Sequence, residues 1–147
     1  MSEEILPIIK IGDPVLREMC VPIEDVASEE TKQLIANMLA TAKNTSCAGL
    51  AAPQVGVIKR IFLMKPDISG DFLVIINPKI ISWSEEKEKM AEGCLSIPGV
   101  SKVKSRFKSI SVEYTVPAGY QKKESFSGWE ARVFQHEFDH LNGVLMI

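Results

Sequence analysis

The chain contains two histidines, and both lie in the run His136-Glu137-Phe138-Asp139-His140. On an α-helix this spacing places the two imidazoles on one side, about 6 Å apart between Cβ atoms, where they can bind one cation. A helix is predicted there independently, because Ser127 and Glu130 have capping-box spacing and Gly143 follows as a C-terminal stop. A helix from Ser127 through Leu141 therefore constrains the fold, since the remaining chain must build a site against its histidine face.

Two histidines leave a catalytic metal site one ligand short, because such sites usually combine three protein ligands with an open position. The candidates for the third ligand are Cys94, Cys20, Cys47 and several carboxylates. Cys94 is favoured because it follows a glycine and lies between Glu92 and Ser96, whose side chains can support a ligand. The residues alone leave the choice open, since a cysteine in this setting is also typical of a small buried hydrophobe.

The glutamate inside the histidine run has a chemical use as well. Glu137 follows the first histidine directly, so it can act as a general base on the attacking water of a metal-dependent hydrolysis. The alternative is that His136 and His140 are core histidines with satisfied hydrogen bonds. The pair spacing together with the intervening glutamate favours the metal site.

A third segment, Gly49 to Gly56, combines small residues with one amide side chain, Gln54. Small residues let the main chain of a ligand come close, and Gln54 is a candidate donor to a developing oxyanion. The alternative is a tight loop that packs beneath a strand. The composition of this segment does not decide between the two.

Two further helices are predicted upstream. Ser28 is expected to cap a long amphipathic helix that ends near Asn44, because acidic residues follow the cap and apolar residues fall on one face. Asp13-Pro14 predicts a short helix over Val15 to Met19, since proline is favoured in the first turn after a cap.

The middle of the chain has the composition of β-strands. Strands are predicted at Ile61 to Met64, at Phe72 to Ile76 and, after Asn77-Pro78, at Ile80 to Trp83. The alternation from Ile110 to Val116, followed by the turn Pro117-Ala118-Gly119 and the run Lys122 to Phe126, predicts a hairpin. These elements predict an α+β fold in which a helix packs against sheets.

The length and net charge of the chain limit the number of domains and the kinds of partner that can be expected. With 147 residues, 46% hydrophobic content and no repeat or linker, one domain over residues 1–147 is expected. A net charge of -2 provides no basic surface for nucleic acid or anionic lipid. The N-terminus is acidic, and no apolar run approaches the roughly 20 residues that span a bilayer, so a soluble cytoplasmic protein is expected. The odd number of cysteines predicts free thiols.

Three segments together closely resemble the signature motifs of the peptide deformylases: Gly49 to Gln54, Glu92 to Ser96, and Gln135 to His140. They occur in the family's order and approximate spacing, and the resemblance extends from Ile11 to Gly143. It implies antiparallel sheets around a C-terminal metal-binding helix, with a long N-terminal amphipathic helix. It also implies an enzyme that removes the formyl group from N-formylmethionyl nascent peptides during protein biosynthesis and releases formate. Association with the ribosome is compatible with that reaction.

The resemblance also implies roles for single residues. Cys94, His136 and His140 correspond to the metal ligands, Glu137 to the general acid and base, and Gln54 with the Leu95 N–H to the oxyanion donors. The family's metal is typically Fe(II), and zinc, nickel or cobalt fit the same site. The peptide is implied to pair in an extended form near Gly49 and Gly99, with tight surroundings at Gly93 that exclude larger acyl groups. The methionine pocket is implied to be lined by Ala48, Trp129, Arg132, Val133 and His136.

Glu92 and Arg106 correspond to a supporting ion pair of the family, and the alternative is two solvated surface charges. Three features depart from the family's pattern. Cys47 replaces a glycine, and it is either a packed thiol or a reactive one. Ser101 replaces an arginine that is frequent in bacterial members, which removes one charged contact with the peptide. The chain ends seven residues after His140, whereas many bacterial members continue with a strand and a C-terminal helix.

Two other functions are compatible with parts of the sequence. A zinc endopeptidase also uses an H-E-x-x-H run, but it requires a third histidine or glutamate ligand and leaves Cys94 unexplained. A non-catalytic, metal-stabilised binding module of the same fold requires a closed site with four ligands. Glu137 and Gln54 argue against such a module, because folding needs neither of them.

Overall fold

The computed structural model describes residues 2–67 and 69–147. Within those ranges lie two α-helices, α1 (Glu29–Lys43) and α2 (Gly128–Leu141), and two short 3-10 helices, Pro14–Arg17 and Ala52–Val55. The strands are β1 (Gly49–Ala51), β2 (Ile61–Met64), β3 (Leu73–Trp83), β4 (Lys87–Cys94), β5 (Ile97–Phe107), β6 (Ser109–Thr115) and β7 (Gln121–Ser127). The predicted α+β class is confirmed. Neither α-helix found in these ranges has the length and apolar content to cross a membrane.

The strands form two antiparallel sheets of different size. Five of them pair in the order β1-β2-β3-β6-β7, while β4 and β5 form a separate two-stranded hairpin. Helix α2 packs against the large sheet through Phe134, whose ring centroid lies 5.1 Å from that of Phe62 in β2 and 5.8 Å from that of Phe126 in β7. The same helix also contacts β5 of the hairpin, so both sheets border it.

Helix α1 covers the opposite face of the large sheet. Its first residues follow Ser28, whose hydroxyl accepts a hydrogen bond from Thr31 N at 3.1 Å. Met38 of this helix is fully buried in a core that includes Leu50 and Ile61, whereas Phe62 next to Ile61 packs on the α2 side. The predicted cap and the predicted end are both observed. The expectation of a long N-terminal helix is narrowed to this 15-residue helix, which begins at residue 29.

The prediction of separate strands before and after Asn77-Pro78 was wrong, because β3 continues through both residues. Asn77 has a left-handed φ of 49°, and the pairing of β3 with β6 shifts between Ile76 and Lys79. The Asn77 side chain accepts a hydrogen bond from Ile23 N and donates one to Ile23 O, both at 2.9 Å. The Asn-Pro pair therefore produces a β-bulge within one continuous strand and anchors the N-terminal segment, where two separate strands were predicted.

The ends of the predicted helices differ in detail from expectation. Asp13 does cap the first one, accepting from Val15 N at 3.0 Å, but the element is the 3-10 helix Pro14–Arg17. Ser127 occupies the N-cap position of α2 without a side-chain hydrogen bond, so the predicted capping box does not form. The reason is that Ser127 is still paired in β7 with Ser109, and strand pairing sets the start of the helix. Gly143 has the expected left-handed φ, 73°.

The hairpin of β6 and β7 is confirmed, whereas β1, β4 and β5 were not predicted. Strands β4 and β5 are long but expose most of their side chains, so they lack the alternation that marks a strand with one buried face. Their hairpin carries the Cys94 segment. It therefore positions the third candidate ligand against α2.

Candidate metal centre

Three of the sequence candidates converge at one point of the structure. His136 and His140 face each other on α2 with ring centroids 5.1 Å apart. Cys94, at the end of β4, places its Sγ 3.5 Å from His140 Nε2. One ligand atom from each of these residues lies within 4.8 Å of the others, and the group is the one set of this kind in residues 2–67 and 69–147. Cys20 and Cys47 are not part of it.

The spacing of these atoms suits a bound transition metal. Sulfur and nitrogen ligands at about 2.3 and 2.0 to 2.1 Å from a tetrahedral ion lie about 3.6 Å apart, close to the 3.5 Å between Cys94 Sγ and His140 Nε2. The pairing of β4 with β5 shifts between Glu92 and Cys94, which turns the thiol out of the regular strand pattern. A thiolate and two imidazoles are ligands that favour zinc and other first-row metals.

His136 is oriented by a carboxylate. Its Nδ1 lies 3.0 Å from Glu92 Oε1, which leaves Nε2 free to face the centre. Burial disfavours the imidazolium form, but hydrogen bonds with Cys94 and Glu92 outweigh it and raise the pKa of His136 to about 10. A cation bound here competes with that proton, because a ligating imidazole must be neutral.

The predicted ion pair of Glu92 and Arg106 is confirmed. Both side chains are buried, and the guanidinium donates two hydrogen bonds to the carboxylate, at 2.9 and 3.0 Å. Arg106 also binds Asp139 Oδ2, at 2.5 Å. Burial opposes the charge of Glu92, but the hydrogen bonds from His136 and from two arginines hold the pKa of this carboxyl well below its usual value. The alternative of solvated surface charges was wrong.

His140 has a different environment from His136. It is buried, and its Nδ1 finds no hydrogen-bond partner in residues 2–67 and 69–147. Burial is the main cause that lowers the pKa of His140 to about 3, and the positive charges of His136 and Arg106 add to the effect. The imidazole is therefore neutral at physiological pH, as a metal ligand must be.

Glu137 lies beside this group on α2. Glu137 is 4% exposed, and its Oε1 has no hydrogen-bond partner among the described residues. Burial is the main cause that raises the pKa of Glu137 to about 7. A carboxyl group with this pKa can both accept and release a proton at neutral pH, which is the requirement for a general acid and base.

Gln54 is held in a fixed orientation at the same centre. Its Oε1 accepts a hydrogen bond from Ala51 N at 2.9 Å, so its Nε2 is directed toward Ser96 Oγ at 3.2 Å and Cys94 Sγ at 3.6 Å. Gln54 and Ser96 are both buried. The alternative for the segment Gly49 to Gly56, a tight packed loop, is correct in part, because residues Ala52–Val55 form a 3-10 turn after β1. The Gln54 side chain nevertheless reaches the centre.

A cavity of about 590 Å³ opens beside the three candidate ligands, within the usual range for small-molecule sites. Gly93 and Leu95 border it on the hairpin side, and Leu95 lies in the turn that joins β4 to β5. Other predicted residues that line it are Ala48, Gly49, Trp129, Arg132, Val133 and His136. Gly99 is exposed and lies outside this lining, so its predicted contact with a peptide is not part of the cavity wall.

Several residues of the site were not foreseen. Lys10, Met90 and Pro98 line the cavity, although no motif marked them. Arg132 borders the cavity as predicted. Its guanidinium, however, binds Glu92 at 2.6 Å, so the predicted role of Arg132 as a wall of the methionine pocket is incomplete. Its position four residues before His136 was the available signal, because such residues share a helix face.

Cys47, the cysteine that departs from the family's pattern, also lies at the cavity. Cys47 lines the cavity and is half-buried, with Sγ 3.7 Å from Ala42 O. Burial is the main cause that raises the pKa of the Cys47 thiol. This favours the packed thiol over the reactive one, because reactive cysteines have a depressed pKa.

Comparison with known proteins points in one direction. The sequence model described as polypeptide deformylase matches residues 5–147. The peptide deformylase of Pseudothermotoga lettingae is 48% identical over 137 residues, which make up 93% of this chain and 78% of that protein. The crystal structure of the Thermotoga maritima peptide deformylase aligns with a TM-score of 0.92 at 41% identity, over 97% of this chain and 95% of that one. A class I type b peptide deformylase from Acinetobacter baumannii, crystallised with Met-Ala-Ser bound, aligns with a TM-score of 0.90 at 33% identity, over 96% and 95% of the two chains.

Proposed function

The chain belongs to the polypeptide deformylase family, and from this membership we propose how its residues divide the work of the reaction. The enzyme hydrolyses the N-terminal formyl group of N-formylmethionyl peptides and releases formate. The observation that carries the assignment is the convergence of Cys94, His136 and His140. Two of these ligands, Cys94 and His136, line a cavity together with Glu137 and Gln54.

Cys94, His136 and His140 hold one divalent metal ion in this proposal. Fe(II) is the expected ion by resemblance to the family, and zinc, nickel or cobalt suit the same ligands. When bound, the ion acts as a Lewis acid that lowers the pKa of water. Three protein ligands beside a cavity leave a coordination position open, unlike the closed four-ligand site of a structural module.

Glu137 moves the proton in the proposed reaction. Its unpartnered Oε1 takes a proton from the attacking water and later gives it to the departing amine of the methionine. Its pKa of about 7 suits both steps near neutral pH. Burial keeps the carboxyl out of bulk water, so the proton stays at this atom between the two steps.

Gln54 and the Leu95 N–H stabilise the oxyanion that develops on the formyl oxygen. Because Oε1 of Gln54 is fixed by Ala51 N, its Nε2 does not have to reorient during the reaction. Preorganised donors of this kind are commonly worth about 3 kcal/mol each in the barrier.

The peptide binds in an extended form along β1. This strand is the edge of the five-stranded sheet, and its Gly49 lines the cavity, so an added strand has main chain available to pair with. The methionine side chain enters between Trp129 and Val133. The tight surroundings predicted at Gly93 are not observed, because Gly93 is exposed and a Cβ there would meet no described atom closer than Val100 O at 3.9 Å. We therefore propose that selection for the small formyl group depends on the surroundings of Cys94.

The setting of the reaction is also part of the proposal. We propose that residues 1–147 form one catalytic domain, supported by a family match over residues 5–147. We place the enzyme in the cytoplasm, where its nascent-chain substrates are made, and expect it to work close to the ribosome. Cosedimentation with ribosomes that carry formylated nascent chains tests the last point.

One assay tests the assignment directly. The protein is purified anaerobically with Fe(II), and formate release from formyl-Met-Ala-Ser is followed beside cleavage of the unformylated peptide. We expect formate release from the parent and no cleavage of internal bonds, with kcat lower by about 10²- to 10⁴-fold in Glu137→Gln at unchanged metal content. Glu130→Gln on the same helix is the matched control. Internal cleavage, or Glu137→Gln within a few fold of the parent, contradicts the assignment.

A further inference from the structure

Arg132 connects the helix of the metal site with the hairpin of the metal site. It is buried on α2, four residues before His136. Its Nη1 donates to Glu92 Oε2 at 2.6 Å and to Lys104 O on β5 at 3.1 Å, and its Nη2 donates to Glu88 O on β4 at 2.7 Å. A single guanidinium thus binds both strands of the hairpin and the carboxylate that orients His136.

The hairpin needs such a connection because, among the strands of the described residues, none pairs it with the large sheet. Cys94 lies on this hairpin, whereas His136 and His140 lie on α2. The distance between the thiol and the imidazoles is therefore set by side-chain contacts across the gap, and the fork of an arginine is well suited to fix such a distance. Arg106 makes a second connection between the hairpin and α2, because its guanidinium, near the end of β5, binds Asp139.

The charges of the cluster also require Arg132. Glu92 accepts from Arg106 through both oxygens, while Arg106 shares its guanidinium with Asp139. When His136 is neutral, as a ligating imidazole must be, the two buried or half-buried carboxylates and the two arginines make the cluster neutral. Removal of Arg132 leaves one uncompensated negative charge in the interior, which is costly and disturbs the partners that remain.

We propose that Arg132 is a positioning residue that holds the β4–β5 hairpin against α2, so that Cys94 and His136 meet at metal-binding distance. The proposal rests on the metal site assigned above. Arg132 acts through Glu92 and the main chain of the hairpin, and it does not itself touch the reacting atoms. Its part in the wall of the methionine pocket is secondary to this role.

Co(II) titration of the metal-free protein tests the role without any activity assay. The thiolate-to-cobalt charge-transfer band reports the Cys94 bond, and the visible bands report the geometry of the ion. We expect Arg132→Met to weaken Co(II) binding by about 10- to 100-fold and to lower the charge-transfer intensity, as is usual when support around a ligand is lost. Arg132→Lys keeps the positive charge but lacks the planar guanidinium. Its Co(II) affinity should therefore lie between those of the parent and of Arg132→Met. Arg17→Met, at an exposed arginine bonded to Ile147 O, is the matched control.

The outcomes separate this inference from the proposed function. A folded Arg132→Met protein that binds Co(II) within twofold of the parent, with an unchanged spectrum, overturns the inference alone. If the methionine variant does not fold, the lysine variant decides, and parent-like binding and spectrum overturn the inference in the same way. A parent that binds no Co(II) overturns the metal site and the inference together.

Discussion

A Cβ atom on Gly49 would lie 2.7 Å from Glu137 Oε2 and 2.9 Å from Glu137 Cγ, well inside van der Waals contact. The main chain of β1 and the carboxyl group of α2 approach so closely only because residue 49 has no side chain. The first and third sequence motifs are therefore in physical contact, and the glycine determines where the proposed acid and base can stand.

Replacement of Gly49 by alanine is expected to move the Glu137 carboxyl group. Displacement of a catalytic group by about 1 Å can cost about 100-fold in rate, so kcat/KM for formyl-Met-Ala-Ser should fall by about that factor. Formate release is measured at equal metal content. Gly70→Ala is the control, because a Cβ there would lie 3.5 Å from Asp67 O, the nearest atom of the described residues, which is ordinary van der Waals contact. A Gly49→Ala enzyme with parent-like kinetics would show that the carboxyl group tolerates the added methyl.

Arg60 holds the C-terminal end of the helix that carries His140. Its Nη1 donates to Leu141 O at 3.1 Å and to Asn142 Oδ1 at 3.0 Å, and its guanidinium lies 5.7 Å from the centroid of the Phe138 ring. A charged donor at a helix C-terminus satisfies free carbonyl groups and complements the helix dipole.

Arg60→Met should therefore lower the free energy of unfolding by about 2 kcal/mol while the apolar stem is kept. Urea unfolding at neutral pH measures the change, and Lys59→Met is the neighbouring control. If the two variants unfold at the same urea concentration, the helix end does not depend on the guanidinium.

The part of the site carried by one helix could be predicted from the sequence. The spacing of His136 and His140 fixes their common face on any helix, and Gly143 marks its end, so no tertiary information was needed. Glu137 follows from the same spacing.

The third ligand could not be chosen from the residues alone, because Cys94 reaches the helix only through the hairpin of β4 and β5. That hairpin exposes most of its side chains, so its sequence carries no strand periodicity. The resemblance to a family supplied what the pattern lacked. The contacts of Arg132 depend on the same hairpin, and for that reason they became visible only in the folded chain.

Asn77 offers a test of the β-bulge inside β3, where the sequence predicted two separate strands. Asn77→Ala removes two hydrogen bonds to Ile23, worth about 1 kcal/mol each, and places a Cβ-bearing residue that lacks asparagine's local hydrogen bonds at a φ of 49°. We expect a loss of about 3 kcal/mol in the free energy of unfolding. Asn77→Gly removes only the hydrogen bonds and should lose about 1 kcal/mol less. Equal losses in urea unfolding would show that backbone strain contributes nothing here.

Cys20 gives the protein a predictable loss of stability at alkaline pH. Burial is the main cause that raises the pKa of this thiol from 9.0 to about 11, against the opposing charge of Arg60. Between these two values the folded chain holds the thiol proton more tightly than the unfolded chain does. The contribution of the Cys20 thiol to the free energy of unfolding is complete below the pKa that the thiol has in the unfolded chain. It is lost as the pH rises through the pKa of the thiol in the folded chain.

Cys20→Ala removes this titration and leaves the other groups in place. The difference in free energy of unfolding between parent and variant should therefore narrow from about pH 8 to about pH 10.5, because only the parent loses the contribution. Urea unfolding of both proteins under reducing conditions measures the difference at each pH, and any effect of the lost side-chain volume cancels because it does not depend on pH. A difference that stays constant over this range would mean that the folded and unfolded chains release the Cys20 proton at the same pH, so that burial does not raise the pKa of this thiol.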